Sequence, residues 1–97
     1  MYVGIMKVQV KLDEAFTLKD KRQIIKSVFE RVKQKHNFST GEVRDLDLIN
    51  LSNWGFACVS NSYSHTEERL NKLEEFLQMD FRFEIIEVRR EIINDID

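Results

Sequence analysis

The sequence predicts an α+β fold in which two helices cover one face of a four-stranded antiparallel sheet, and three observations point to it. Two helix-start signatures, Thr17-Leu18-Lys19-Asp20 and Ser64-His65-Thr66-Glu67, sit 47 positions apart. In each, a hydroxyl can cap the free N–H groups of the first turn while a carboxylate three residues on reaches back to the backbone. Each signature also lies between two apolar stretches of strand character, so the chain reads β-α-β twice over. Finally, no proline and no Gly/Ser linker breaks this order within 97 residues, a length that supports one core and therefore one domain over 1–97.

From Tyr2 to Leu12 the residues alternate, with Met6, Val8, Val10 and Leu12 on one side and Lys7, Gln9 and Lys11 on the other. A period of two marks a half-buried strand with one wet face. At its start Val3 and Ile5 make the second face apolar too, so that end is expected to be covered, another subunit being one candidate. The first helix is expected over Leu18 to about His36. Leu18, Ile25, Phe29 and Val32 converge on one stripe beside Val28, and Asn37 can serve as the C-cap.

Phe38 to Asp45 reads as a short second strand weakened by Gly41, and Leu46 to Ser52 as a hairpin-like connection. The third strand, Asn53 to Asn61, puts Trp54, Phe56 and Cys58 on one side and Gly55, Ala57 and Val59 on the other. Small residues let a helix approach a sheet closely. On that ground Ala57 and Val59 are assigned beneath the helices, with Trp54 and Phe56 on the open face.

The second helix is expected from His65 to about Met79, with Leu70, Leu73, Phe76 and Leu77 inward, Glu67, Glu68, Glu74 and Glu75 outward, and an acidic first turn that suits the helix dipole. Phe81 to Ile93 is the last strand. Its hydrophobic phase switches near Ile85 and Ile86, which suggests a bulge or a doubly covered strand. Residues 94–97 are expected to fray. The sum is a β-α-β-β-α-β unit of the split β-α-β, or ferredoxin-like, type.

Composition narrows the function classes. The single thiol, Cys58, excludes an internal disulfide framework and any Cys-x-x-Cys zinc pair, and a reducing cytoplasm fits it. The N-terminal segment has neither a basic leader nor a continuous apolar core with a cleavage site, and no stretch is long enough to cross a bilayer, so no membrane partner is expected. Net charge is −2, but unevenly spread: residues 1–36 carry nine Lys/Arg against four Asp/Glu, and residues 37–97 six against thirteen. Such asymmetry describes either a molecule with one basic surface or two opposite surfaces that meet within the fold or in an oligomer.

Thr17-Leu18-Lys19-Asp20-Lys21-Arg22, Glu42-Val43, Val59-Ser60-Asn61 with His65 four positions later, and Glu87-Val88-Arg89-Arg90-Glu91-Ile92 together resemble the YlxP-like family of small bacterial proteins across essentially the whole chain. The resemblance implies a ferredoxin-like fold and brings no established catalytic residues. Some members are encoded beside genes for transcription and ribosome maturation, which implies a role near RNA or ribosomes. Many members carry an aromatic after Asp-Leu in the central connection, where this chain has Ile49.

Four sets of residues are candidates for function. Lys19, Arg22, Lys26 and Lys33 fall within roughly 60° of one another on a helical projection, with Lys21 nearer the apolar side, its stem expected to snorkel along the core edge. A row of cations can follow a phosphate backbone without base preference. Alternatively, Glu67 and Glu74 on the second helix can neutralise it as surface ion pairs.

The second set is Val3, Ile5, Trp54 and Phe56, an aromatic and aliphatic patch expected on the open sheet face. It suits dimerisation better than base stacking, because the Lys/Arg-Gly-aromatic-Gly-aromatic signature is missing. The third is Ser60, Asn61, Ser64 and His65, polar groups at a helix start that can hold a small anion or satisfy the backbone. The fourth, a Cys58–His65 pair, lacks a third catalytic residue, and nothing pairs His36 with His65 as metal ligands. No cofactor and no metal is therefore expected. The chain reads as a non-enzymatic accessory factor contacting RNA or ribosomal particles, with a protein-interaction module, a homo-oligomer with a dimer favoured, as the alternative, and a small-anion-binding protein or enzyme third.

Overall fold

A computed structural model describes residues 1–94 of the chain. In order along the chain come β1 (Tyr2–Lys11), α1 (Leu18–His36), β2 (Ser39–Arg44), β3 (Leu51–Ser60), α2 (Tyr63–Gln78) and β4 (Glu84–Asn94). The four strands form one antiparallel sheet in the order β2-β3-β1-β4, with both helices on one face, which is the ferredoxin-like arrangement. The frayed tail expected over 94–97 lies outside the described residues from 95 on, while Asn94 belongs to β4 and pairs with Tyr2.

α1 forms where its signature says it should. Thr17 Oγ1 accepts from the Asp20 N–H at 3.1 Å and Asp20 Oδ2 accepts from the Thr17 N–H at 3.2 Å, a complete capping box. Asn37 ends the helix in the left-handed region at φ 55°.

α2 starts two residues earlier than its signature suggests. Ser62, not Ser64, is the cap: its hydroxyl accepts from the His65 N–H at 3.2 Å, and Thr66 Oγ1 donates to the Ser62 carbonyl at 2.7 Å. With the helix started there, Thr66 is fully buried on the sheet side. The first turn then holds no carboxylate, contrary to the expectation of an acidic start.

The assignment of sheet faces reverses the expected one for β3. Trp54 lies directly opposite Val8, and Phe56 opposite Met6, so these four share a face. All four are buried, and the Phe29 ring of α1 meets Trp54 and Phe56 edge to face at centroid distances of 5.6 and 5.7 Å. Trp54 and Phe56 are therefore core residues under α1. Their bulk fills the space between sheet and helix, and Ala57 and Val59 point to the open face. Close approach of a helix is provided instead by Gly4, where an added Cβ would come 2.7 Å from Thr66 Cγ2 of α2.

The phase switch in β4 is a bulge. Glu87 pairs with Gln9 and Ile85 with Val10, which leaves Ile86 unmatched and half exposed. Ile25, Val28 and Val32 of α1, Leu70, Leu73 and Leu77 of α2, and Phe83 complete the core against Met6, Val8, Val10 and Leu12.

Candidate functional site

Lys21 faces inward. It is 1% exposed, and its ammonium donates to the carbonyls of Asp45 at 2.7 Å, Leu48 at 2.5 Å and Leu51 at 3.0 Å while pairing with Glu42 Oε2 at 2.9 Å. The expected snorkelling stem is thus replaced by a fully enclosed charge, which is removed from any solvent-side anion site. Glu42 also accepts from the Ser52 hydroxyl, and Ser52 accepts from Trp54 Nε1 at 2.9 Å. One polar chain therefore runs from α1 through β2 to the core tryptophan and fixes the connection 45–50. A buried ammonium is tolerable only when its N–H groups are satisfied and its charge is countered, and here both conditions hold. Ile49 packs against the core, while Leu46 and Leu48 face solvent.

The remaining cations of α1 are on the surface. Lys19, Arg22, Lys26 and Lys33 are all exposed, and among the described residues none has a carboxylate partner. On the acidic flank of α2, the Glu74 carboxylate pairs with Arg90 of β4 at 3.3 Å, and Arg90 also donates to the backbone carbonyl of Glu67 at 3.3 Å, while the Glu67 side chain is exposed. The opposite side of α1 faces α2. There burial pushes the Asp80 carboxyl up, but hydrogen bonds and charge from Arg82, with a smaller contribution from Arg31 of α1, hold it below its ordinary range, and the His36 and Phe76 rings meet at a tilt with centroids 4.9 Å apart. The unlike flanks of the two helices do not meet.

The open sheet face divides into two ends. One is apolar, with Val3 opposite both Val59 and Ile93, and Ile5 opposite Ala57. Val59 is 60% and Ile93 41% exposed. The other is a shallow polar cleft of about 250 Å³ lined by Lys7, Gln9, Arg44, Asn53, Glu87 and Arg89. Arg89 is paired with Glu87 at 2.7 Å, whereas Lys7 and Arg44 have no carboxylate partner among the described residues. Alternation along β1 marks Lys7 and Gln9 only as its wet side. Their gathering with Arg44 and Arg89 depends on strand order, which no local pattern carries.

At the start of α2, Ser60, Asn61, Ser64 and His65 lie on the turn that leads into the helix and on its first turn. Ser60 Oγ accepts from the Ser62 N–H at 3.2 Å, and the Ser62 and Ser64 hydroxyls bond each other at 3.2 Å, so the hydroxyls serve the turn itself. Cys58 is buried on the helix side, near Gly4. Among the described residues, no group of three or more His, Cys, Asp or Glu could hold a metal ion, and no helix is long and apolar enough to cross a membrane.

Comparison with known proteins finds relatives over most of the chain. A similar protein, the "Uncharacterized protein YlxP" of Bacillus subtilis (strain 168), is 31% identical over 75 residues, covering 77% of this chain and 82% of the relative. Residues 3–90, from the first strand through most of the last, match the family model described as "Protein of unknown function (DUF503)", and the chain belongs to that family.

Proposed function

We propose that the protein is a non-enzymatic binding factor that contacts RNA, free or in ribosomal particles in the cytoplasm, through the cationic flank of α1. One observation carries this reading: Lys19, Arg22, Lys26 and Lys33 point to solvent and, among the described residues, have no carboxylate partner, while Glu74 of the acidic flank is paired with Arg90 of β4. Burial of Lys21 removes it from the contact and leaves four cations in the row. Four phosphate contacts would weaken binding by roughly 10²-fold between about 50 and 200 mM salt. Filter binding of structured RNA at those two concentrations tests the reading. Lys19→Glu/Lys26→Glu is expected to weaken retention and flatten the salt dependence. Absent or salt-insensitive retention would sink the idea.

A second reading is favoured by the apolar end of the open face, where Val3, Ile5, Val59 and Ile93 cluster next to one another. Such a patch suits a protein partner. In that case Ile5→Ser/Val59→Ser abolishes capture of the partner, and reversing Lys19 and Lys26 does not.

A further inference from the structure

We propose that the free edge of β4 pairs antiparallel with the same edge of a second copy of this chain, about a two-fold axis at Arg90, so that two sheets become one of eight strands. The inference does not depend on the RNA contact.

β4 is eleven residues long and, among the described residues, pairs with β1 alone, so the backbone groups along its outer side have no strand partner there. Long free edges recruit another strand unless they are blunted by proline, charged side chains (lysine above all), a bulge or shortness. The other edge strand is blunted: β2 has six residues, contains Gly41, and carries a bulge at Val43. β4 has no proline and no lysine, its bulge sits at one end, and its charged residues are of both signs, Glu84, Glu87 and Glu91 against Arg89 and Arg90, so a second copy can match them rather than be repelled. From Glu87 to Asn94 it matches β1 residue for residue and is regular.

The side chains choose the register. A two-fold axis perpendicular to the sheet keeps the helix faces of both copies on the same side. It therefore pairs odd with odd and even with even positions in this regular stretch. Centred on Arg90, it sets Arg89 opposite Glu91 twice on the open face and Val88 opposite Ile92 twice on the helix face. Opposite charges and matched apolar pairs are the units that stabilise a ladder. Centred one residue earlier, the axis sets Glu87 against Glu91 and Val88 against Arg90. Centred one residue later, it sets Arg90 against Ile92 and Arg89 against Ile93. Of these three, the Arg90 register alone makes complementary pairs on both faces next to its axis; farther out it sets Glu87 beside Ile93. The two Arg90 side chains it brings together are already neutralised, each folded back onto Glu74 and the Glu67 carbonyl of its own α2. Val88 and Ile92 are half-buried in one copy and gain their missing neighbours from the other.

Sedimentation equilibrium over a range of protein concentrations tests the pairing, with circular dichroism confirming that each variant is folded. Wild type is expected to approach twice the 11.6 kDa mass of the chain. Glu91→Arg places Arg opposite Arg at two points and is expected to sediment as the monomer. Arg89→Glu/Glu91→Arg restores both pairs with their signs exchanged and is expected to restore the dimer. Val59→Asp, on the open face away from the edge, is expected to leave it intact. A wild type that stays monomeric, a dimer indifferent to Glu91→Arg, a charge swap that fails to rescue, or a dimer lost in Val59→Asp alone would each overturn the proposal.

Discussion

Lys21 Nζ on α1 lies 2.9 Å from Glu42 Oε2 on β2, and the lysine side chain is 1% exposed. The pair ties the first helix to the edge strand beyond β3, while the same ammonium gathers the carbonyls of the connection between β2 and β3. A cation on the helix has thereby become the organising centre of a loop.

Removing one partner of such a pair leaves an uncompensated buried charge and costs about 3–5 kcal/mol. Lys21→Met is expected to lose stability on that scale in urea unfolding. Lys21→Met/Glu42→Gln should recover part of the loss, because it strands no charge. Amide hydrogen exchange in residues 45–50 should accelerate in the single variant more than in the helices.

Trp54 separates core from surface in a way that binding and folding measurements can read together. Trp54→Ala is expected to cost about 3–5 kcal/mol, because it empties the space between Val8, Phe29 and Phe83. Val59→Ser, one strand position off the same core but on the open face, should stay within about 0.5 kcal/mol of wild type. Comparable losses in the two variants would contradict the assignment of sheet faces.

Gly4 is the contact point between β1 and α2. A methyl group there would meet Thr66 Cγ2 at 2.7 Å and Cys58 Sγ at 3.1 Å, so Gly4→Ala must shift the helix or strain it. Overpacking of this kind costs about 1–3 kcal/mol. Gly41→Ala, with nothing within 4 Å of the added carbon, serves as the control and should be neutral or mildly stabilising in the same unfolding assay.

His36 gives the fold a pH dependence. Partial burial, followed by the charges of Lys35 and Lys72, holds its imidazole below the ordinary value of 6.5. The unfolded chain therefore binds the proton more tightly than the native one, and stability rises with pH through this window. The contribution is present above 6.5 and is lost as pH falls through the unfolded value toward the lower folded one. His36→Gln should flatten the fall in unfolding midpoint between about pH 7.5 and pH 5. An NMR titration of His36 with its midpoint above 6.5 would contradict the assigned direction.

Local patterns along the chain determined a great deal of this protein. The alternation in β1, the seven-four-three spacing in α1 and the Thr17 capping box each act within a few residues, and each stands where the sequence places it. The bulge of β4 was legible for the same reason, as a phase change between Ile85 and Ile86. The exposed row Lys19, Arg22, Lys26 and Lys33 follows from helical geometry alone.

Tertiary structure alone decided which way the sheet faces turn, because Trp54 and Phe56 take their side from Met6 and Val8 across the ladder, some fifty positions away in sequence. Lys21 went inward for a similar reason: its acceptors lie more than twenty residues on, in a connection whose path only the assembled sheet defines. Strand order likewise gathered Lys7, Arg44 and Arg89 into one cleft and turned Glu74 toward Arg90 instead of α1. Periodicity reports what a residue's near neighbours require, whereas the partner of a buried charge or of a cross-strand ring is chosen by the fold as a whole.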